Sequence, residues 1–290
     1  MIILGLKGGL GNQLFQYAAA RSLASIHKTI VKLDTTAYYY GGPRQYELCH
    51  FNIQGNIAQS AEILNFTEVK QNRLQKIFHL IIHNRPAYSK HYFQYNKAQY
   101  YKNFNSLPDN IYLDGYFESE KYFIDIADII RKEFTVKSVT SVPNQKIIDD
   151  MTSCQSVCIS VRRGDFVTDP KANLKHGVCN LDYYYNCVER LAVTVKNAKF
   201  FVFSDDIEWC INNIKLNYPT KFIDHQQESP CENLRLITFC KHFIISNSTF
   251  SWWGAWLAPY KYKIVFVPKK WFADSAMKTN SLIPDKWIKI

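Results

Sequence analysis

Short apolar runs alternate with longer amphipathic segments along most of this chain. The apolar run 2–6 is followed by a glycine cluster, which predicts a buried first strand. Residues 13–25, rich in Ala, Leu and Arg, predict a helix, and 29–33 predict a second strand that ends at Asp34. The chain is therefore expected to begin as a β-loop-α-β unit.

The pattern is less regular in the middle of the chain. Residues 59–69 and 72–83 have helical spacing, 111–113 predict a strand and 119–134 predict a further helix. Residues 137–143 are rich in Ser, Thr and Val and end in proline, which is typical of a linker.

After this segment the alternation is clear. The pattern predicts strands at 157–161, 199–204, 221–223, 242–245 and 264–267, separated by helices at 181–195, 206–216, 231–239 and 249–257. Such alternation is typical of a parallel sheet covered on both faces. We predict an α/β fold of two Rossmann-like domains, residues 1–140 and 141–290, facing each other across a ligand-binding cleft.

Composition narrows the class of protein. With 290 residues, 47% of them hydrophobic and 21% charged, the chain suits one large or two modest globular domains and excludes disorder, collagen and coiled coil. The formal net charge of +10 suggests an anionic partner. Lys and Arg are spread along the chain, so we expect a basic pocket or face and no nucleic-acid partner.

No targeting segment is expected. The first apolar run is too short for a signal peptide, and later apolar runs fall far below the length of a membrane span. The eight cysteines include no CxxC pair, and without an export signal they are expected to be reduced thiols. We therefore expect a soluble, cytoplasmic protein without a metal site.

The glycine loop 5–13 lies between the first predicted strand and helix. Gly9 and Gly11 are candidate ligand-binding residues, because backbone N–H groups at a helix N-terminus favour an anion. With Asp34 some twenty residues later they imitate a dinucleotide fingerprint, but Leu14 replaces the third glycine. An anion-binding loop, a nicotinamide site and a plain tight turn all remain open.

Polar clusters follow two of the strands predicted in the second half. Arg162 and Arg163 come after strand 157–161, where one guanidinium is expected to face a phosphate and the other to pair with Asp165 or the sheet. A surface Arg–Asp pair without function is the alternative. Asp205 and Asp206 come after strand 199–204 and are candidates for ribose, guanine or metal binding, or for helix capping.

A third cluster follows strand 242–245. Ser248, Thr249, Phe250 and Ser251 lie at the start of the next predicted helix, where hydroxyls and backbone N–H groups can hold a diphosphate. Capping explains one or two of these hydroxyls, and the following Trp pair packs the helix or stacks on a sugar. If the sheet is parallel, all three clusters converge on one crevice.

Five strings carry a family resemblance. Residues 8–18 read GGLGNQLFQYA, 115–123 GYFESEKYF, 162–166 RRGDF, 203–206 FSDD and 246–257 SNSTFSWWGAWL. Together they resemble glycosyltransferase family 11, the α-1,2-fucosyltransferases, over nearly the whole chain. The resemblance implies a GT-B-like fold and a metal-independent, inverting transfer of L-fucose. The donor would be GDP-β-L-fucose, and the acceptor the 2-hydroxyl of a sugar, usually galactose.

The resemblance also implies roles for single residues. Arg162 corresponds to the first arginine of the family's HxRRxD motif and would bind the β-phosphate and stabilise the charge on departing GDP. Asp205 and Asp206 would lie near the guanosine, and residues 248–251 near the diphosphate. Asn12, in the glycine loop, would position the fucose or the acceptor hydroxyl.

Three points depart from the family pattern or stay open. Ser160 stands where the motif has histidine, so an imidazole contact there is absent or supplied by the backbone. No general base is identified, because a surface or capping role is favoured for both Asp114 and Glu118. His176 is isolated in a predicted loop and receives no role.

Our primary hypothesis is a cytoplasmic fucosyltransferase that builds a surface glycan or O-antigen. A lipid-linked acceptor and contact with the inner face of an anionic membrane are further options, because the net positive charge would be attracted to anionic lipid. One alternative is a nicotinamide-dependent oxidoreductase, in which Arg162 and residues 246–251 would have no functional role. The other is a non-catalytic sugar-binding protein that uses aromatic rings as stacking platforms.

Overall fold

The chain divides into two compact units, Met1–Phe134 and Thr135–Ile290. The computed structural model describes residues 1–39, 41–42, 44–67, 91–224, 229–274, 277, 279 and 281–290. The division precedes the predicted linker 137–143, which therefore belongs to the second unit. A helix begins inside that segment, since Ser141 accepts a hydrogen bond from the Asn144 N–H and a proline occupies the first turn.

A five-stranded parallel sheet organises the first unit, in the order β3-β2-β1-β5-β4. Its strands are β1 Ile2–Gly5, β2 Val31–Asp34, β3 Gly55–Ile57, β4 Tyr92–Tyr95 and β5 Ile111–Gly115. The helices are α1 Leu10–Ile26, α2 Ser60–Thr67 and α3 Ala127–Glu133. The central strand β1 is apolar and buried, as a strand covered on both faces requires.

Three predicted helices of the first unit differ from the structure or extend outside the described residues. The predicted helix 119–134 is instead two single turns of 3₁₀ helix, Glu120–Tyr122 and Ile124–Ile126, followed by α3. Phe123 separates the turns because its backbone is not helical (φ −142°, ψ 8°) and its ring is fully buried. The predicted helix 72–83, and the last two residues of 59–69, lie outside the described residues.

A six-stranded parallel sheet organises the second unit, in the order β11-β10-β9-β6-β7-β8. Its strands are β6 Gln155–Val161, β7 Ala198–Ser204, β8 Thr220–Phe222, β9 His242–Ile245, β10 Val265–Val267 and β11 Ile288–Lys289. The helices are α4 Val142–Ser153, α5 Gly164–Thr168, α6 Pro170–His176, α7 Leu181–Thr194, α8 Ile207–Asn213, α9 Pro230–Ile237 and α10 Thr249–Leu257.

One core cluster of the second unit lies on a single face of β6. Val157, Ile159 and Val161 pack into one cluster with Tyr184 and Leu191 of α7, and all of these side chains are almost completely buried. Strand β9 and helix α10 occupy the predicted residues, whereas the two short helices α5 and α6 were not predicted. The core thus holds β6, β7 and β9 rigidly side by side, and their carboxyl ends share one edge.

The fold bears on two expectations, that the chain has no membrane-spanning helix and that its cysteines are reduced. Within the described ranges, no helix has the length and apolar character needed to cross a bilayer. All eight cysteines lie in those ranges, and none of them forms a disulfide bond there.

Candidate functional site

Three polar segments meet at the carboxyl edge of the second sheet. Strand β6 pairs with β9 on one side, where Ser160 lies opposite Ile245, and with β7 on the other, where Val161 lies opposite Ser204. Because all three strands are parallel, the residues that follow them emerge at the same edge. The structure therefore brings the arginine, aspartate and serine clusters together, as expected for a parallel sheet.

Arg162 is held between two carboxylates. Its Nη1 atom lies 2.8 Å from Asp205 Oδ2, and its Nη2 atom donates to Asp165 Oδ1. The guanidinium carbon lies 5.3 Å from the centre of the Phe166 ring. The side chain remains 22% exposed, and each terminal nitrogen carries a second proton, so the oriented guanidinium can still bind an anion.

The neighbouring Arg163 has a different environment. Its Nε atom donates to Asp206 Oδ2 at 2.9 Å, and its guanidinium lies 3.7 Å from the centre of the Trp209 ring. The sequence predicts that one arginine faces a phosphate and that the other pairs with Asp165 or the sheet. Asp165 pairs instead with Arg162, the arginine assigned to the phosphate, because Asp206 pairs with Arg163. Arg163 is therefore held against helix α8, and the two side chains are similarly exposed, 17% for Arg163 and 22% for Arg162.

Asp205 and Asp206 are both engaged with this arginine pair. Asp205 Oδ1 accepts from the Arg163 backbone N–H at 2.8 Å, while Asp206 Oδ1 caps α8 by accepting from the Trp209 N–H at 3.2 Å. Both carboxylates thus orient arginines, and Asp206 also serves as the predicted cap. Across the described residues, no group of three or more His, Cys, Asp and Glu side chains is arranged to hold a metal ion. Guanosine contact by these two residues remains a prediction.

The start of α10 offers backbone N–H groups at the same edge. Ser248 occupies the N-cap position, but its side chain makes no capping hydrogen bond. By contrast, α7 is capped by Asn180 and α8 by Asp206. Ser248, Thr249 and Phe250 are only half-buried. A helix N-terminus without a side-chain cap is suited to binding a phosphate oxygen.

Ser251 lies inside the fold rather than on this open turn. It is 2% exposed, and its Oγ atom lies 2.7 Å from Ser160 Oγ and 3.3 Å from Ser246 Oγ. The hydroxyl therefore links α10 to β6 and to the end of β9. Ser160, which stands where the family motif has histidine, therefore makes a buried structural contact.

The tryptophan pair of α10 packs the core. Trp252 and Trp253 are both 0% exposed, and Trp252 Nε1 donates to the Leu282 carbonyl at 2.9 Å. Of the two interpretations of these rings, packing is therefore the one found, and neither ring face is open to a sugar.

The glycine loop of the first unit is shaped by backbone contacts. Gly8 has φ 81°, and Gly9 is the N-cap residue of α1, without a side-chain cap. The Gln13 side chain donates to the carbonyls of Gly8 at 3.1 Å and Gln45 at 2.7 Å. Gly11 is buried inside α1, and the half-buried Asn12 packs against Gly8.

Two basic residues beside this loop were not predicted from the sequence. Arg44 lies over Gly9, since a Cβ atom there would be 3.7 Å from Arg44 Cδ. Lys7 lies 5.0 Å from the centre of the Tyr116 ring and donates to Asp114. Lys7 stands inside the glycine loop and could have been chosen for its charge, whereas Arg44 is an isolated residue with no local signal.

Asp34 is not available to a nucleotide ribose. Its Oδ2 atom accepts from the Tyr112 hydroxyl at 2.7 Å, and its Oδ1 atom accepts from the Thr36 N–H at 2.9 Å and hydroxyl at 2.7 Å. The residue is only 5% exposed. The acidic position of the imitated dinucleotide fingerprint is therefore part of the fold.

Asp114 is a carboxylate surrounded by donors. It accepts from Lys7 Nζ at 2.6 Å, Gln94 Nε2 at 2.8 Å and the Tyr92 hydroxyl at 2.9 Å. Burial alone would raise its pKa, but the hydrogen bonds from Lys7, Gln94 and Tyr92 outweigh burial, so the pKa is lowered. A carboxylate in this state is a weak proton acceptor, which disfavours Asp114 as a general base.

The fold places the chain in a class. Two units built on parallel sheets are similar to a solved structure of a mutant of FUT1 from Arabidopsis thaliana in complex with GDP. The similarity has a TM-score of 0.53 at 12% identity and covers 98% of this chain and 74% of that one. The fold is therefore of the GT-B type, an α/β architecture of two Rossmann-like units.

The sequence then gives the family. The chain matches the model of glycosyl transferase family 11 over residues 1–290 and belongs to that family. It is 32% identical to an alpha-1,2-colitosyltransferase of Escherichia coli, over 100% of this chain and 99% of that protein. It is 30% identical to the O-antigen biosynthesis glycosyltransferase WbnK of Escherichia coli, over 98% and 99% of the two chains. Family membership excludes the nicotinamide-dependent oxidoreductase and makes this protein an enzyme of sugar transfer.

Proposed function

We propose that this enzyme transfers L-fucose from GDP-β-L-fucose to the 2-hydroxyl of an acceptor sugar, with galactose as the favoured acceptor. The observation that carries the proposal is Arg162, held by two carboxylates at the carboxyl edge of the second sheet beside the open start of α10. The family supports glycosyl transfer, and the names of the relatives support an α-1,2 linkage.

The donor diphosphate would lie at this edge. The Arg162 guanidinium matches the oxygens of a phosphate, and the backbone N–H groups at the start of α10 add a positive dipole end. As the acceptor hydroxyl oxygen attacks the anomeric carbon, the bond from that carbon to the β-phosphate oxygen breaks and its electron pair leaves with GDP. The proton of the hydroxyl is released to water. Arg162 is placed to stabilise that growing negative charge, and stabilisation of this kind contributes most of the rate enhancement in many enzymes.

The proposed reaction needs no metal ion. In many transferases a divalent cation neutralises the leaving diphosphate. Here Arg162 and the start of α10 would supply the positive charge. Asp205 and Asp206, which the sequence offered as candidate metal ligands, are paired with Arg162 and Arg163. We therefore propose direct stabilisation of GDP by protein groups.

A second donor is supported by one specific observation. The full-length relative at 32% identity is an alpha-1,2-colitosyltransferase. Colitose is L-fucose without its 3-hydroxyl, so both GDP-sugars present the same diphosphate to Arg162. A hydrogen bond to the 3-hydroxyl would decide between them, since a site built for a hydroxyl rejects the analogue that lacks it.

The acceptor is proposed to be a growing surface glycan or O-antigen repeat, carried on a lipid at the inner face of the membrane. The similarity to an O-antigen biosynthesis glycosyltransferase supports the glycan. The net charge of +10 supports a peripheral contact with anionic lipid.

The decisive experiment is a donor and acceptor panel with linkage analysis. The purified protein is incubated with GDP-fucose or GDP-colitose and with galactosides that carry a free or a methylated 2-hydroxyl. The proposal expects an α-1,2-fucosylated product only with the free hydroxyl, and the same rate in the presence of EDTA. A product with another linkage, faster transfer of colitose, or activity lost to EDTA and restored by magnesium would each contradict the corresponding part of the proposal.

A further inference from the structure

His176 lies in an aromatic stack that ends at Arg162. Its ring is parallel to the Phe166 ring, with centres 4.6 Å apart and planes 6° apart, and lies 5.4 Å from the Phe272 ring. Phe166 is also the ring that the Arg162 guanidinium contacts, at 5.3 Å. A continuous series of contacts therefore runs from His176 through Phe166 to the proposed phosphate-binding group.

The backbone around this stack is tied to the sheet edge. Asn247, which follows β9 and is 4% exposed, donates through Nδ2 to the His176 carbonyl at 2.8 Å and to the Trp271 carbonyl at 3.1 Å. Asn173 Nδ2 donates to the Phe166 carbonyl at 2.6 Å, which joins α6 to α5. The position of His176 is thus fixed independently of Arg162.

The imidazole acts here as an uncharged ring. Its Nδ1 atom is buried and has no hydrogen-bond partner among the described residues. Burial, and then the charge of Lys175, lower the pKa of His176 to about 4, with Arg162 acting in the same direction and Asp165 opposing them. What the ring offers its neighbours at neutral pH is a flat face.

We propose that His176 is a positioning residue for Arg162. Its ring holds Phe166, and with it the short helix α5 that also carries Asp165, at the distance that orients the guanidinium toward the donor diphosphate. The inference rests on the proposed function, because Arg162 is the group that would touch the donor. Misplacing such a group weakens the transition state more than ground-state binding, so kcat is the affected parameter.

The test compares His176→Phe, His176→Leu and His176→Ala. His176→Phe keeps a flat ring and should retain kcat within about threefold, whereas His176→Leu, which fills space without a flat face, and His176→Ala should lower kcat by about 10- to 100-fold. The KM for GDP-fucose should change much less than kcat. Thermal unfolding and GDP binding identify the variants that fold. If His176→Ala does not fold, His176→Leu alone tests the loss of the flat ring.

His242→Ala is the matched control. His242 is an imidazole that is 5% exposed, more deeply buried than His176, and has an aromatic neighbour, Tyr260 at 5.6 Å. It lies at the amino end of β9, on the opposite edge of the sheet. This variant should lose stability while the folded protein keeps its kcat. A similar loss of kcat in His242→Ala would show a general packing effect and would overturn the inference.

Two further outcomes would overturn the inference. Wild-type kcat in the folded His176→Leu variant would remove the stacking role, and a His176→Phe variant as impaired as His176→Ala would assign the effect to the imidazole nitrogens. Arg162→Ala separates this failure from that of the proposed function. If Arg162→Ala is inactive while His176→Leu is normal, only the positioning role is wrong; if Arg162→Ala is fully active, the proposed donor site is wrong.

Discussion

The carboxyl edges of the two sheets use their polar residues in different ways. In the first unit, the side chains of Asp34 and Gln13 form hydrogen bonds to other groups of the protein. The Lys7 ammonium is paired with the Asp114 carboxylate. In the second unit, Arg162 is 22% exposed against 31% for Lys7, but its planar guanidinium lies between two carboxylates that fix its direction. The first edge therefore presents a glycine loop and an ammonium paired with one carboxylate, and the second presents a guanidinium of fixed orientation, which we propose as the anion site.

This difference separates two tasks of a transferase. A backbone surface with its polar groups satisfied selects a ligand by shape and by close approach, which suits a sugar beside the glycine loop. An oriented guanidinium next to a helix N-terminus selects charge, which suits a diphosphate. We infer that substitutions at the second edge change turnover most and that those at the first edge act through geometry and stability.

The largest effect is expected for Arg162→Ala. Removing a preorganised donor from a developing oxyanion commonly costs about 10²- to 10³-fold in kcat. The side chain is partly exposed, so the folded state should persist. Steady-state transfer of radiolabelled fucose measures kcat, and thermal unfolding checks the fold.

Arg162→Lys provides the control for charge. Lysine keeps the positive charge without the planar fork, so an intermediate kcat is expected. Equal activity in wild type and Arg162→Ala would show that the second edge is not the anion site and would remove the contrast between the two units.

A smaller effect is expected for Gly8→Ala. Gly8 has φ 81°, a conformation that costs a residue with a side chain about 1–3 kcal/mol. A Cβ atom there would also lie 2.6 Å from Asn12 Nδ2 and displace that side chain. Urea denaturation should show the loss of stability, and transfer should fall by about tenfold because the loop geometry changes.

Gly42→Ala is the matched control in the same unit. A Cβ atom at Gly42 meets no other atom within 4 Å. Stability and transfer should stay near wild type. If Gly8→Ala were as harmless as Gly42→Ala, the shape of the glycine loop would have no functional role.

The smallest effect is expected for Asp114→Asn, and it should depend on pH. The folded state lowers the pKa of Asp114 through Lys7, Gln94 and Tyr92 against the effect of burial, so the carboxylate stabilises the fold above its unfolded pKa of about 4. That contribution is lost as the pH falls through the lowered pKa. At pH 7 the variant should be less stable by about 1–2 kcal/mol, and the difference should shrink below about pH 4.

Urea unfolding at several pH values measures this difference. Asp128→Asn is a suitable control, because Asp128 pairs with Arg131 on the surface and its side chain is fully exposed. A constant difference between wild type and Asp114→Asn at all pH values would mean that ionisation of Asp114 does not contribute to stability.

Much of the fold follows from local patterns, with clear physical exceptions. Buried strands such as β6 and β9 contain short apolar runs, 157–159 and 243–245, and could be predicted. The edge strand β11 has only two residues, both exposed, and it is a strand only because β10 pairs with it. Helix α4 begins in a segment whose Ser and Pro were interpreted as a linker, although the same residues cap a helix.

The candidate site shows a similar limit. Polar clusters after three strands indicated the right edge, because parallel pairing alone brings strand ends together. The sequence did not indicate that Asp165 and Asp205 would both orient Arg162, that Ser251 would point inward or that His176 would stack on Phe166. Those contacts depend on side-chain rotamers and on two short helices without periodic patterns.

The hydroxyl contact between Ser160 and Ser251 also couples the interior of a strand to the proposed phosphate site. Both side chains are almost completely buried, so a larger residue at position 160 would have to displace Ser251 and, with it, the first turn of α10. A substitution in β6 that never touches the donor would therefore alter the surface that holds it.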